Sequence, residues 1–135
     1  MKRILIFLCL WLATVDAGAE GVVVIAHPSV PKTDLATLQR VYSGKIIEIG
    51  SVNVTPINAL PGSPERIRFL REFLQQDEEK YTAYWTVRRY IGKGTPPLEV
   101  GSAAEMIAIV QATPGAIGYI NDSELKAGAT VLLRR

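Results

Sequence analysis

The sequence predicts a single α/β domain with a mainly parallel sheet flanked by helices. Short apolar runs with the pattern of strands alternate along the chain with segments that carry an apolar stripe at helical spacing. The first run, Val22–Ala26, is apolar without interruption, which is typical of a strand buried on both faces. The chain shows no repeat and no internal linker, and of its 135 residues the 116 that follow a predicted leader of 19 suit one compact domain.

The first half of the predicted domain runs from that strand through one helix to a second strand. Thr33 or Asp34 can cap the helix. Its inward stripe consists of Leu35, Leu38, Val41 and Tyr42. Ser43-Gly44 ends the helix, and Lys45–Ile49 and Val52–Ile57 are predicted to be extended segments on either side of a turn.

A loop and a helix start follow in the stretch "ALPGSPERIRFL", residues 59–70. Ser63 is a favourable N-cap, and Pro64 occupies the first helical position, where its missing N–H costs nothing. The predicted inward face of this helix consists of Ile67, Leu70, Phe73 and Leu74. A strand that passes through Gly62-Ser63 into a helix also places backbone N–H groups where an anion can bind. Because Pro64 removes one donor and Glu65 would repel a bound anion, the residues alone favour a self-sufficient helix cap over an anion site.

The remainder of the chain predicts two further helices and two strands. Asp77 can cap a long helix, which breaks at Gly92–Pro97. Its stripe consists of Tyr81, Tyr84, Trp85, Arg88 and Ile91. Ser102–Glu105 reads as a capping box, and the helix that it opens has an inward stripe of Met106, Ile107 and Val110. Ala116–Ile120 and Thr130–Leu133 are predicted strands.

Residues 1–19 are predicted to be a secretory signal peptide. Lys2-Arg3 gives a basic start, Ile4–Leu12 is apolar, and Ala17-Gly18-Ala19 is a small-residue cleavage signal. The apolar run is shorter than the about 20 residues that span a bilayer. We therefore expect a periplasmic domain of residues 20–135, without stable membrane insertion after cleavage.

The composition of this domain argues against several classes of function. The formal net charge is +2 for the whole chain and +1 without residues 1–19, which carry Lys2, Arg3 and Asp16. A net charge this close to zero gives no indication that the protein binds nucleic acid. The one cysteine, Cys9, lies in the predicted leader, and His27 is the one histidine. Neither a metal site nor a Cys- or Ser-based catalytic set follows from these residues, so we expect a non-enzyme without a cofactor.

The order of motifs resembles the phosphate-binding protein family of ABC-type importers, a branch of the periplasmic solute-binding superfamily. The matching pieces are "SVPKTDLATLQRVYSGKI", "VTPINALPGSPERIRFLREFL", "YWTVRRYIGKGTPPLEVGSAAEMIAIV" and "TPGAIGYI". They extend over nearly all of the predicted domain, and the last is the most specific. The resemblance implies a fold like one lobe of a type II periplasmic binding protein, since two lobes need about twice this length.

The resemblance also implies where a ligand would bind. The family's arginine falls on Asn58, and its Ser-Gly-Thr loop falls on Gly62, Ser63 and Pro64 in turn. Asn58, Gly62 and Ser63 are therefore the predicted ligand-binding residues, with the fixed positive charge replaced by a neutral amide. A site without that charge and without a closing lobe predicts weak, millimolar binding of a small oxyanion such as phosphate.

Two hypotheses of function follow. In the first, the protein is a non-enzymatic domain related to the phosphate-binding component of ABC importers, with a small oxyanion as ligand and an ABC permease as partner. In the second, it is a periplasmic interaction or sensing module that has lost ligand binding and contacts another periplasmic protein. An exposed apolar surface would favour the second hypothesis.

Overall fold

The computed structural model describes residues 21–135, which form an α/β domain around a five-stranded sheet. The strands are β1 (Val22–Ala26), β2 (Glu48–Ile49), β3 (Val52–Asn53), β4 (Thr55–Ala59), β5 (Leu98–Val100), β6 (Ala116–Asn121) and β7 (Thr130–Leu133). The helices are α1 (Leu35–Tyr42), α2 (Pro64–Phe69), α3 (Glu78–Tyr90) and α4 (Ala103–Ala112). The predicted signal peptide lies outside the described residues.

The main sheet has the strand order β5-β4-β6-β1-β7. Strand β4 pairs in parallel with β5 and β6, whereas β1 is antiparallel to both of its neighbours, β6 and β7. Four of the five strands thus run in one direction, which confirms the mainly parallel sheet, and β1 alone is reversed. Strands β2 and β3 form a separate small hairpin.

Strand β1 separates two hydrophobic layers, as its uninterrupted apolar sequence predicts. All five of its residues are buried. Val22, Val24 and Ala26 join the cluster beneath α1, α2 and α3, while Val23 and Ile25 join the cluster beneath α4. Because successive strand residues point to opposite faces, this strand needs an apolar side chain at every position.

The helix starts follow the predicted capping residues. The Asp34 carboxylate accepts a hydrogen bond from the Thr37 N–H at 2.8 Å, and Asp77 accepts one from the Lys80 N–H at 2.8 Å. The Ser102 hydroxyl oxygen accepts one from the Glu105 N–H at 3.1 Å. In each case the cap satisfies an N–H that has no partner inside the helix. Within residues 21–135, no helix combines the length and the apolar character needed to cross a bilayer.

The second helix differs from its predicted orientation. Its buried face contains Arg66 and Phe69, followed by Leu70 and Phe73 in a π-helical turn, Leu70–Leu74. These positions are spaced i, i+3, i+4 and i+7, so they form one helical face whose first member is an arginine. Ile67 lies off that face and is 46 % exposed. The prediction that Ile67 points inward is wrong. It assumed that apolar residues alone form the buried face, whereas the charged residue Arg66 takes the buried position.

Two features of the strands also differ from the sequence prediction. The segment predicted as one strand, Val52–Ile57, is divided at Val54, so that its first part belongs to the hairpin and its second part to the main sheet. Strand β5 has no counterpart in the prediction. Its three residues, of which two are exposed, are too few to show a period.

Candidate functional site

Asn58 lies near the end of β4 and is buried, with 1 % of its surface exposed. Its side-chain oxygen accepts a hydrogen bond from the Tyr119 hydroxyl at 3.0 Å. Its side-chain nitrogen donates to the Tyr81 hydroxyl oxygen at 3.0 Å. The amide therefore links two buried phenols from different elements, β6 and α3.

The two phenols are themselves anchored to backbone groups. The Tyr81 hydroxyl donates to the Tyr42 carbonyl at 3.0 Å, and the Tyr119 oxygen accepts from the Ala59 N–H at 3.0 Å. Burial raises the pKa of Tyr119 and of Tyr81, because an ionised phenolate would lose its hydration there. Asn58 thus lies within a neutral hydrogen-bond network that ties four elements of the domain together: β4, β6, α3 and α1.

Arg66 is a buried cation in the same region, and its charge is matched by carboxylates. Its guanidinium makes two hydrogen bonds to Glu78, at 2.9 Å from Nε and 2.7 Å from Nη2. Its Nη1 donates to the Ala59 carbonyl at 3.1 Å and lies 3.6 Å from Glu99. The fork geometry suits bidentate pairing, and two carboxylates around one guanidinium leave it no excess positive charge for an anion.

A cleft of about 200 Å³ opens beside these residues. Asn58, Arg66, Tyr81, Trp85, Arg89 and Glu99 are among the residues that line it. Its lining includes two cations, Arg66 and Arg89, and one carboxylate, Glu99, and the charge of Arg66 is matched by Glu78 and Glu99.

Gly62 and Ser63 lie in the turn that follows β4. Gly62 has a φ of +84°, and no atom outside its chain neighbours lies within 4 Å of where a Cβ would stand. The Ser63 hydroxyl donates to the Leu60 carbonyl at 2.7 Å, and the Ser63 N–H donates to the same oxygen at 3.1 Å. Ser63 occupies the predicted N-cap position, but its side chain makes no capping hydrogen bond to the helix.

Of the three predicted ligand residues, Gly62 and Ser63 share the turn, while Asn58 is one residue before the end of β4 with its amide bonded inward. Whether they bind a ligand stays a prediction. A pocket of about 100 Å³ lies nearby at the ends of β4 and β6. Its lining includes the carboxylates of Glu65 and Glu124 and no lysine or arginine. These carboxylates would repel an anion in that pocket. Of the two places, the open turn at Gly62 is therefore the less unfavourable one for an anion.

His27 takes part in a local turn at the end of β1. Its Nδ1 is 2.7 Å from the Ser29 hydroxyl oxygen and accepts from the Ser29 N–H at 3.1 Å. The Gly115 N–H in turn donates to the Ser29 hydroxyl oxygen at 2.9 Å. These bonds join the end of β1 to the turn before β6. Among the described residues, no three His, Cys, Asp or Glu side chains come together as a metal-binding group.

Three residues of this region were not predicted from the sequence to belong to it: Arg66, Tyr81 and Tyr119. For Tyr119, the motif Pro-Gly-Ala-Ile-Gly-Tyr carried a signal. Gly118 leaves no room for a Cβ beneath Met106 and Val110, and the adjacent tyrosine stacks on Phe69 with ring centroids 3.9 Å apart. Arg66 carried no signal, because a buried arginine is recognisable only from the partners that surround it in space.

Comparison with known proteins gives matches in structure. Neither a protein-family model nor a curated protein sequence matches the chain. The domain does superpose on solved binding proteins, covering 83 % of this chain in each of three cases. The first is an ABC-type phosphate transport receptor from Vibrio cholerae, with a TM-score of 0.58 and 14 % identity. The second is a phosphate ABC transporter substrate-binding protein with bound phosphate from Clostridium perfringens, with a TM-score of 0.61 and 20 % identity.

The third is PstS from Borrelia burgdorferi, with a TM-score of 0.61 and 18 % identity. This chain matches 45 %, 44 % and 46 % of the three proteins in turn, so it spans slightly less than half the length of each. The chain has the fold of one lobe of such a binding protein. The resemblance seen in the sequence is thereby confirmed for the fold, since identities this low carry the fold alone.

Proposed function

We propose that this protein is an exported, non-enzymatic domain of the solute-binding type that binds a small oxyanion weakly, next to Asn58, Gly62 and Ser63. The observation that carries the proposal is the open turn at Gly62, between the carboxyl end of β4 and the start of α2. In open α/β sheets, ligands bind beyond the carboxyl ends of the strands. The fold neighbours are phosphate-binding proteins of ABC transporters, which makes phosphate the first ligand to test and an ABC permease the partner that this proposal implies.

Three observations support weak binding. Asn58 uses both ends of its amide within the protein, Arg66 is held by carboxylates, and Glu65 adds negative charge in the first turn of α2. An anion at the turn would therefore gain only a few hydrogen bonds, each worth about 1.5–3 kcal/mol, against the loss of its hydration. A dissociation constant of about 1 mM, equivalent to about −4 kcal/mol, is expected.

Calorimetric titration of the full chain with inorganic phosphate tests this proposal. Gly62→Asp places a carboxylate in the turn and should abolish the binding heat. Gly128→Asp is the matched control, because Gly128 also has a positive φ, +90°, with nothing within 4 Å of a Cβ position. Absence of heat from the unmodified, folded chain at about 10 mM phosphate, which is some ten times the expected constant, would refute the proposal. So would equal heat from the two variants.

A second candidate function is favoured by an exposed apolar groove at the start of β5. The groove has a volume of about 310 Å³, and its lining includes Ile46, Ile47, Pro56, Trp85, Pro97 and Leu98. Ile47 is 70 % exposed and Leu98 56 %. Strand β5 is at the edge of the sheet and pairs only with β4 among the described residues. We propose as the alternative an interaction module whose groove and free strand edge receive an extended segment of another periplasmic protein.

Site-specific photo-crosslinking in cells distinguishes this alternative. A crosslinking residue at Leu98 should capture one protein through an extended segment, whereas the same residue at Val131, on the opposite edge strand β7, should not. Equal capture from both positions, or capture of nothing except a second copy of this chain, would contradict the alternative.

A further inference from the structure

We propose that the protein has a second, cationic binding pocket that accepts a small organic anion bearing a hydroxyl group. The pocket has a volume of about 360 Å³ and lies between α1, the end of the π-helical turn and α3. Its polar lining consists of Gln39, Arg40, Ser43, Lys45, Gln76 and Tyr84. None of these residues belongs to the proposed oxyanion site at Gly62.

The charge of this pocket is unbalanced. Arg40 and Lys45 both line it, and no aspartate or glutamate does. Within residues 21–135, neither cation takes part in an ion pair. This differs from the cleft at Arg66, where carboxylates surround the guanidinium. Two cations without carboxylate partners attract an anion. Binding the anion breaks no existing ion pair, because neither cation is engaged in one.

One of the lining residues, Gln76, also has a neutral side-chain atom that lacks a partner. The side-chain oxygen of Gln76 is buried and accepts no hydrogen bond. Buried polar atoms without a partner are uncommon in folded proteins. A ligand O–H beside the anionic group would supply the missing donor, because an amide oxygen accepts and cannot donate.

The walls of the pocket are held in place by internal hydrogen bonds. The Gln39 side-chain nitrogen donates to the Phe73 carbonyl at 2.8 Å, and the Tyr84 hydroxyl donates to the Ser43 carbonyl at 2.6 Å. Leu74 and Tyr81 add apolar and aromatic surface to the lining. A preformed space with one apolar side suits a small hydroxycarboxylate better than a compact inorganic ion.

The test compares malate with succinate, two dicarboxylates that differ by one hydroxyl, using amide NMR spectra and calorimetry on the full chain. Malate should shift amides of residues 36–45 and 74–84 and bind more tightly than succinate. Gln76→Ala should remove the preference for malate. Equal binding of the two acids by the unmodified chain, or shifts confined to other segments, would overturn the proposal.

Charge-removing variants provide the second arm of the test. Arg40→Gln with Lys45→Gln should weaken malate binding at least about tenfold, the factor that corresponds to 1.4 kcal/mol. The matched control, Lys32→Gln with Lys126→Gln, removes the same net charge from exposed positions outside the pocket lining and should change the affinity less than about twofold. Equal weakening by the two double variants would show that the effect is one of net charge and would overturn the pocket assignment.

Two further outcomes separate this proposal from the oxyanion site. Gly62→Asp should leave malate binding unchanged, so loss of phosphate binding at the turn and loss of malate binding at the pocket are independent results. If inorganic phosphate shifts the amides of residues 36–45 and 74–84 at a lower concentration than malate does, the organic-acid assignment is wrong. The mapping uses the unmodified chain, so it decides the matter even where a variant fails to fold.

Discussion

At the scale of single residues, Asn58 and Arg66 show how polar groups can be buried without a ligand. The amide of Asn58 lies between two phenols, and the guanidinium of Arg66 lies between carboxylates, with its Cζ over the Tyr81 ring at 5.5 Å from the centroid. Each polar group replaces its lost hydration with bonds inside the protein. Both residues are therefore expected to affect stability whether or not the turn at Gly62 binds an anion.

Replacing Asn58 with alanine is expected to lower the free energy of unfolding by about 2–3 kcal/mol, because it leaves the buried Tyr119 O–H without its acceptor, removes a donor to the Tyr81 oxygen and opens a small cavity. Urea denaturation followed by circular dichroism measures the change. Asn53→Ala is the control, since Asn53 is exposed, and should change it by less than about 0.5 kcal/mol. A cost for Asn58→Ala as small as that of the control would contradict the hydrogen-bond network around Asn58.

Replacing Arg66 with alanine is expected to cost about 2 kcal/mol. Loss of a partner from a buried ion pair costs about 3–5 kcal/mol, and the value is lower here because the Glu78 side chain is 31 % exposed and can be hydrated. Arg71→Ala is the matched control. Arg71 is 67 % exposed and 4.0 Å from Glu72, so its loss should cost less than about 0.5 kcal/mol. Denaturation curves in which the two variants coincide would refute the structural role of Arg66.

At the scale of elements, the packing of α4 against β6 depends on a small residue. A Cβ at Gly118 would meet the Met106 sulfur and Val110. Before β6, Gly115 has a φ of +80° and faces the Asn53 carbonyl. The two glycines therefore have different physical roles. One lets the chain turn in a left-handed conformation next to β3, and the other lets the helix approach the sheet.

Gly118→Ala is expected to destabilise the domain by about 1–3 kcal/mol, the usual cost of overpacking a well-filled core. Met106→Ala in the same chain removes the side chain that the new methyl would meet. The double variant should then be more stable than the sum of the two single losses predicts, with a coupling of about 0.5 kcal/mol or more. Additive losses, measured by thermal and urea denaturation, would mean that the close approach is absent.

The elements also show what the sequence could reveal and what it could not. The run of β1, the capping residues Asp34, Asp77 and Ser102, and the motif around Gly115 predicted the main strands, the helix starts and the fold class, because each acts within a few residues of chain. Arg66 and β5 were missed for the opposite reason. A buried arginine needs the carboxylates of Glu78 and Glu99, and a three-residue strand needs its neighbour β4, and neither partner is adjacent in sequence. The candidate site depends on such distant contacts, so Asn58, Gly62 and Ser63 could be named from the family resemblance, but the buried partners of Asn58 could not.

At the scale of the whole molecule, the buried phenols make stability depend on pH in the alkaline range. Burial raises the pKa of Tyr42, Tyr81 and Tyr119 in the folded chain above the value of about 10 expected for the unfolded chain. Below about pH 10 both the folded and the unfolded chain keep these protons, so the contribution of the buried phenols to the free energy of unfolding is fully present. Above it the unfolded chain releases protons that the folded chain retains, and the contribution is lost as the pH rises.

The free energy of unfolding should therefore fall above about pH 10, by up to about 1.4 kcal/mol per pH unit for each buried phenol. Urea denaturation at successive pH values measures this slope. Tyr119→Phe should reduce it, whereas Tyr90→Phe, at a side chain that is 91 % exposed, should leave it unchanged. A slope that is the same in both variants would show that Tyr119 is not among the retained protons.

The reversed strand β1 has a consequence for how the domain comes into being. Val22 pairs with Asn121, and Val24 with Leu133, so the earliest strand of the domain finds its neighbours only among the latest-made residues. Contacts this remote along the chain slow folding, since a long loop must close before any bond is gained. In the exported chain that we propose, the polypeptide passes N-terminus first through a secretion channel. The domain would then stay unfolded until β6 and β7 had emerged, because only these strands pair with β1.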